Sequence, residues 1–166
     1  MLFPLAPFHW LDTNVFIQAA NQAYSFKSVP SFWRWLEKAS RDGLIRSPIS
    51  VYNEIKDGTD QLARWVRVVK KSSGMFVNPD SEVQKCYKQI VLFVYQRYSS
   101  PEAAGFMRGA DPWVIAHAMD NRGTVVTHEV LVPPESQKVK IPNVCAQFDV
   151  DCIRAWDAFP KLGMEL

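Results

Sequence analysis

Short apolar runs alternate with stretches of helical periodicity along the whole chain. Phe8 to Leu11 is apolar and suits a buried strand. Thr13 or Asn14 can then cap a helix running to about Tyr24. A second helix is predicted from Pro30 to the stop at Gly43, with Phe32, Trp35, Leu36 and Ala39 on one face. The segment "LIRSP" reads as a short strand ended by Pro48, and Ser50 is placed to cap a helix carrying Tyr52, Glu54 and Ile55.

The pattern continues in the second half. "DQLARWVRVVKK" sets Leu62, Trp65, Val66 and Val69 on one helical stripe, and the helix after "NPDSE" does the same with Val83, Tyr87, Ile90, Val91 and Val94. "SPEAAGFM" reads as a short helical turn. "DPWVIAHAMDNRG" carries Asp111 at a cap, Pro112 at the first helical position and Gly123 past the end. "TVVT" is a β-branched strand and "NVCA" a weaker one, and Asp151 to Lys161 reads as a closing helix. Strands alternating with helices predict an α/β fold, a three-layer α/β/α sandwich around a mostly parallel sheet.

Composition narrows this to a globular chain. Its 166 residues are 48% hydrophobic and 22% charged, which fits one domain spanning 1–166. A net charge of +2 neither demands nor excludes a polyanionic partner. Cys86, Cys145 and Cys152 form no CxxC pair and fit free thiols in a reducing cytoplasm. The start, "MLFPLAPFHW", has no basic leader and contains Pro4 and Pro7, so it reads as a lead-in to the first strand. No run approaches the roughly 20 apolar residues needed to span a bilayer, so no membrane partner is expected.

The candidate chemistry lies in acids at strand ends, where ligands bind in parallel sheets. Asp12 directly follows the first strand, Glu54 lies on the helix after "LIRSP", Asp111 opens the helix before "TVVT", and Glu129 lies two residues after Thr127. All four can reach one rim. Buried carboxylates repel, and a divalent cation among them relieves this; oxygen-only ligands select Mg²⁺ or Mn²⁺. Each acid also has a plain structural reading. Asp12-Thr13-Asn14 fits a helix cap, Glu54 a solvated helix charge, Asp111 a cap before Pro112, and Glu129 a loop acid.

The order "LDTNVFI … VYNEI … GADPWVIAHAM … VVTHE" resembles the PIN-domain nuclease family, which includes the VapC-type toxin ribonucleases. Asp12, Glu54, Asp111 and Glu129 match the family's acid positions, and Thr13, Asn14 and Thr127 match positions that support them. Glu129 departs from the Asp that many members carry, and the chain is longer than the minimal toxins. The resemblance implies a Mg²⁺- or Mn²⁺-dependent endoribonuclease, the toxin of a toxin–antitoxin pair. The alternatives are a PIN nuclease of RNA processing and a non-catalytic binding or scaffold module. Implied partners are RNA, a small antitoxin protein and a second copy of the chain.

Substrate-binding residues are harder to read. Arg64, Arg67 and Lys71, with Lys70 beside them, lie opposite the apolar stripe of their helix. Such a face either tracks phosphates or simply meets water, the commoner fate. His128 adjoins a candidate acid and is a weak substrate contact. The spacing of His9, His117 and His128 matches no zinc motif.

Overall fold

The computed structural model describes residues 7–166; the lead-in at 1–6, with Pro4, lies outside them. Strands β1 (His9–Leu11), β2 (Ile45–Pro48), β3 (Phe76–Val77), β4 (Thr124–Thr127) and β5 (Asp151–Arg154) form one sheet in the order β3-β2-β1-β4-β5. Every pairing is parallel, with Trp10 opposite Arg46 on β2 and Val125 on β4. The α/β/α sandwich expected from the alternating pattern is the observed fold.

The helices are α1 (Thr13–Gln18), α2 (Pro30–Arg41), α3 (Ile49–Ile55), α4 (Gln61–Ser72), α5 (Ser81–Arg97), α6 (Ser100–Arg108), α7 (Asp111–Asn121), α8 (Ile141–Gln147) and α9 (Ala155–Lys161). A π-helical turn, Ala19–Ala23, extends α1. Helix α7 packs on β1, β2 and β4, with α5 behind it. Trp10 of β1 stacks on His117 of α7 at 4.5 Å, while Phe32 of α2 meets Phe159 of α9 at 5.3 Å. Leu11, Ile45, Val125 and Val126 are wholly buried, as expected of strands covered on both faces.

Chain direction along the sheet reverses at β1. The chain runs outward from β1 to β2 and β3, then returns to β4 on the other side. The crevice between the carboxyl ends of β1 and β4 is therefore the switch point where ligands bind in such sheets. The junction is tightly closed from below. Asn121 Oδ1 accepts the N–H of Phe8 at 2.9 Å and the indole N–H of Trp10 at 3.2 Å. A Cβ on Gly123 would lie 2.4 Å from the Phe8 carbonyl oxygen, so only glycine allows this approach.

Local departures from the sequence reading have physical causes. The segment "NVCA" lies in α8, not a strand; Pro142 sits in that helix's first turn, where its fixed φ suits helix. Asp151–Arg154 is β5, and the closing helix begins only at Ala155. Its exposed polar ends are those of an edge strand. Strand β3 is too short to show a period. Asp12, rather than Thr13 or Asn14, caps α1. Ser50 lies inside α3, with Pro48 before it, and its buried hydroxyl has no partner. Asp111 is the first residue of α7 and makes no capping bond; the residue at the cap is Ala110.

Candidate functional site

Asp12 is the first residue past β1, yet its N–H still bonds to Val126 of β4 at 3.2 Å. That bond seats its side chain, 0% exposed, at the switch point. The carboxylate accepts the hydroxyl of Thr127 from the end of β4 and the N–H of Val15 at 3.2 Å. Asp12 thus caps α1 and bridges the two strands at once. Burial pushes it up to about 6, and Glu129 adds to the rise; Thr127 and Val15 pull the other way.

Glu54 projects from the last turn of α3. One carboxylate oxygen accepts the hydroxyl of Thr13, and the other accepts the N–H of Ala110 at 2.8 Å. Gly109 leaves room for it, since a Cβ there would approach Glu54 Oε1 to 3.3 Å. Glu129 follows β4, its own N–H donating to Thr127 Oγ1 at 3.1 Å. Its carboxylate accepts the N–H of Ile141 at 2.7 Å and so caps α8 in the role its preceding residue leaves open.

Asp111 differs from these three. Among the described residues, no donor hydrogen-bonds to its carboxylate. Burial pushes it up to about 7, followed by the negative charges of Asp12, Glu129 and Glu54, with Lys140 pulling down. Asp111 therefore feels the charges of the other three acids expected at the rim. As their side chains stand, no three His, Cys, Asp or Glu residues among those described converge tightly enough to hold an ion. The hydrogen bonds explain this, because Glu54 and Glu129 are each turned to a backbone amide.

The supporting residues divide. Thr13 and Thr127 each orient a candidate acid through a hydroxyl. Asn14 is exposed and its side chain makes no hydrogen bond among the described residues. Lys140 is a member that the sequence reading missed: its ammonium lies 3.5 Å from Glu129. It returns to the rim only because the loop after β4 folds back to start α8, and no local motif announces that.

Arg64, Arg67 and Lys71 are exposed and, with Val68 and Ser72, form an open basic face of α4. Arg67 is held by the carbonyls of Lys56, at 2.6 Å, and Gly58, which ties α4 to the end of α3. His128 is half-buried. Its ring lies 4.7 Å from that of Trp156, and both its nitrogens are buried without partners among the described residues. Burial, then Arg154, lowers its pKa. His117 is a core residue, pushed down to about 4 by burial.

The family described as "Domain of unknown function (DUF4411)" matches residues 9–166. The chain belongs to the DUF4411 family. No curated protein matches the sequence. Among solved structures, the DUF4411 chain is similar to VapBC2 from Rickettsia felis bound to a DNA fragment from their promoter, with a TM-score of 0.51 and 16% identity. That match covers 89% of this chain and 98% of the other. It is also similar to FitAcB from Neisseria gonorrhoeae, with a TM-score of 0.50 and 18% identity over 89% of this chain and 97% of the other. These likenesses establish the PIN-like fold of this DUF4411 member. No helix among the described residues is long and apolar enough to cross a membrane.

Proposed function

We propose that this chain is a Mg²⁺- or Mn²⁺-dependent endoribonuclease, the toxin of a toxin–antitoxin pair. The observation that carries the reading is Asp111: a carboxylate without a protein donor, facing the charges of Asp12, Glu129 and Glu54 at the switch point. An all-oxygen donor set of this kind fits a hard divalent cation. Asp12 and Asp111 would hold it, and a further ligand would come from Glu54 or Glu129.

Bound Mg²⁺ or Mn²⁺ would supply positive charge to a phosphodiester and make water a stronger nucleophile. The chain's own residues do the positioning. Thr127 fixes Asp12, Thr13 fixes Glu54, and Glu54 fixes the backbone immediately before Asp111. The exposed face of Arg64, Arg67 and Lys71 offers positive charge to the phosphates of a bound strand. His128, whose ring nitrogens are buried, is a lesser candidate for touching a base than the exposed basic side chains.

The likeness to VapBC2 and FitAcB supports the toxin reading over a stand-alone RNA-processing nuclease. Val130 and Leu131, 53% and 65% exposed, directly follow Glu129 and offer an apolar contact to a small antitoxin beside the site. The backbone bonds of Glu54 and Glu129 favour a second reading, a PIN-fold scaffold without catalysis. Incubation of the purified chain with single-stranded RNA separates the two. Cleavage with Mn²⁺ that stops in EDTA supports the nuclease; full activity in EDTA contradicts the metal mechanism, and intact RNA under all conditions favours the scaffold.

A further inference from the structure

We propose that Lys140 is the built-in counter-ion of the acid cluster, holding Glu129 in the metal-free protein and yielding to a divalent cation when one enters. The second half of this inference rests on the metal-dependent reading above; the first half does not.

Lys140 is placed by its backbone as well as by its charge. It occupies the cap position of α8 in an extended conformation, φ −122° and ψ 141°. The next N–H, that of Ile141, is bound by Glu129 at 2.7 Å, and the Lys140 ammonium approaches the other oxygen of the same carboxylate at 3.5 Å. Glu129 therefore grips adjacent donors: the Ile141 N–H bond holds the helix start, and the more mobile ammonium can leave the other oxygen without breaking it.

Among the described residues, Lys140 makes the only ion pair with any of the four candidate acids. The pair is also shielded from water, with side chains 34% and 17% exposed, against 70% and 45% for Lys38–Asp42. Shielded pairs feel less screening than surface pairs. The ammonium's positive charge also reaches Asp111, whose carboxylate has no hydrogen-bond donor among the described residues.

Three negative neighbours around Asp111 repel one another, and a nearby ammonium offsets part of that repulsion. A divalent cation is drawn by the same field and is repelled by the same ammonium. Ion entry and the Lys140–Glu129 contact are therefore in competition. Glu129 Oε1, the oxygen next to the ammonium, is the one a cation would share or take from Lys140.

The test uses Lys140→Met, which keeps an apolar stem of similar length, and Lys140→Arg, which keeps the charge. In EDTA, Lys140→Met should melt lower than wild type, and the loss should shrink when Asp111→Asn is also present. In calorimetric titration with MnCl₂, Lys140→Met should bind the ion roughly 5- to 10-fold more tightly than wild type, the scale expected for removing one nearby positive charge. Lys140→Arg should behave as wild type in both experiments. Independent, additive melting changes in EDTA would overturn the counter-ion assignment. Equal or weaker Mn²⁺ binding by Lys140→Met would overturn the competition. A wild-type chain that takes up no Mn²⁺ contradicts the metal reading and the competition with it, and the EDTA comparison then decides the counter-ion assignment alone.

Discussion

Glu54 accepts the backbone N–H of Ala110 at 2.8 Å, so an acid on α3 sets the start of α7 and thereby the place of Asp111. Its other oxygen is engaged by Thr13. The residue is at once a candidate ligand and a clamp between two helices, and substitutions should separate these roles.

Glu54→Ala removes the acceptor of a partly buried amide. It should destabilise by about 1–3 kcal/mol in chemical denaturation, the usual cost of leaving such a group unsatisfied. Glu54→Gln can still accept from Ala110 through its amide oxygen and should lose less. Gly109→Ala, whose φ of −92° suits alanine, should crowd Glu54 Oε1 with a Cβ 3.3 Å away, loosen its bond to Ala110 and cost less stability than Glu54→Ala. Equal stability of Glu54→Ala and Glu54→Gln would contradict the clamp.

Asp12→Asn should make the metal-free protein at least as stable as wild type at neutral pH. The buried carboxylate is pushed up to about 6, so its ionised form is disfavoured in the fold. Asparagine removes the charge, and its amide oxygen can still accept from Val15. Melting in EDTA and then in Mn²⁺ checks this: the mutant should match or exceed wild type in EDTA and gain less from the ion. A clearly lower melting point in EDTA, with equal gain from Mn²⁺, would make Asp12 a purely structural bridge.

The same displacements give a pH dependence whose sign can be worked out. Asp12 and Asp111 have folded values of about 6 and about 7 against an ordinary value of 3.8. The folded state thus binds more protons than the unfolded state between these values. The stability they contribute is fully present below pH 3.8 and is lost as pH rises through about 6 to 7. In EDTA, the contribution of Asp12 and Asp111 should fall from pH 5 to pH 8, against an opposite trend from His117, whose lowered pKa favours the fold as pH rises, so the wild-type profile is compared with that of Asp111→Asn. Asp111→Asn should flatten that fall and be more stable at the upper end by roughly 1–2 kcal/mol after allowance for screening. Parallel wild-type and mutant profiles would remove Asp111 from the shared field.

The acids were legible in the sequence because each follows or opens an element whose type the local pattern reveals. Asp12 after an apolar run and Asp111 before Pro112 are such cases. Their detailed roles were not. Asp111-Pro112 looks like a cap and first turn, yet the helix starts one residue earlier and Glu54, from a distant helix, takes the Ala110 amide. Asp151–Arg154 was read as helix because an edge strand buries too little to show alternation. Lys140 was unreadable for another reason: only the fold-back of the loop after Glu129 brings it to the rim. Contacts made by loop closure leave no period in the chain.

The central claim is that Asp111 belongs to a metal-dependent catalytic cluster. The direct measurement is single-turnover cleavage of RNA in Mn²⁺ by wild type and by Asp111→Asn, with folding of both verified by circular dichroism. Since Asp111 makes no capping bond, the substitution leaves the start of α7 intact. The account predicts that wild type cleaves and that the folded mutant is slower by roughly 100-fold or more, as for loss of a charge acting on the reacting phosphate. Cleavage by folded Asp111→Asn at the wild-type rate would contradict it.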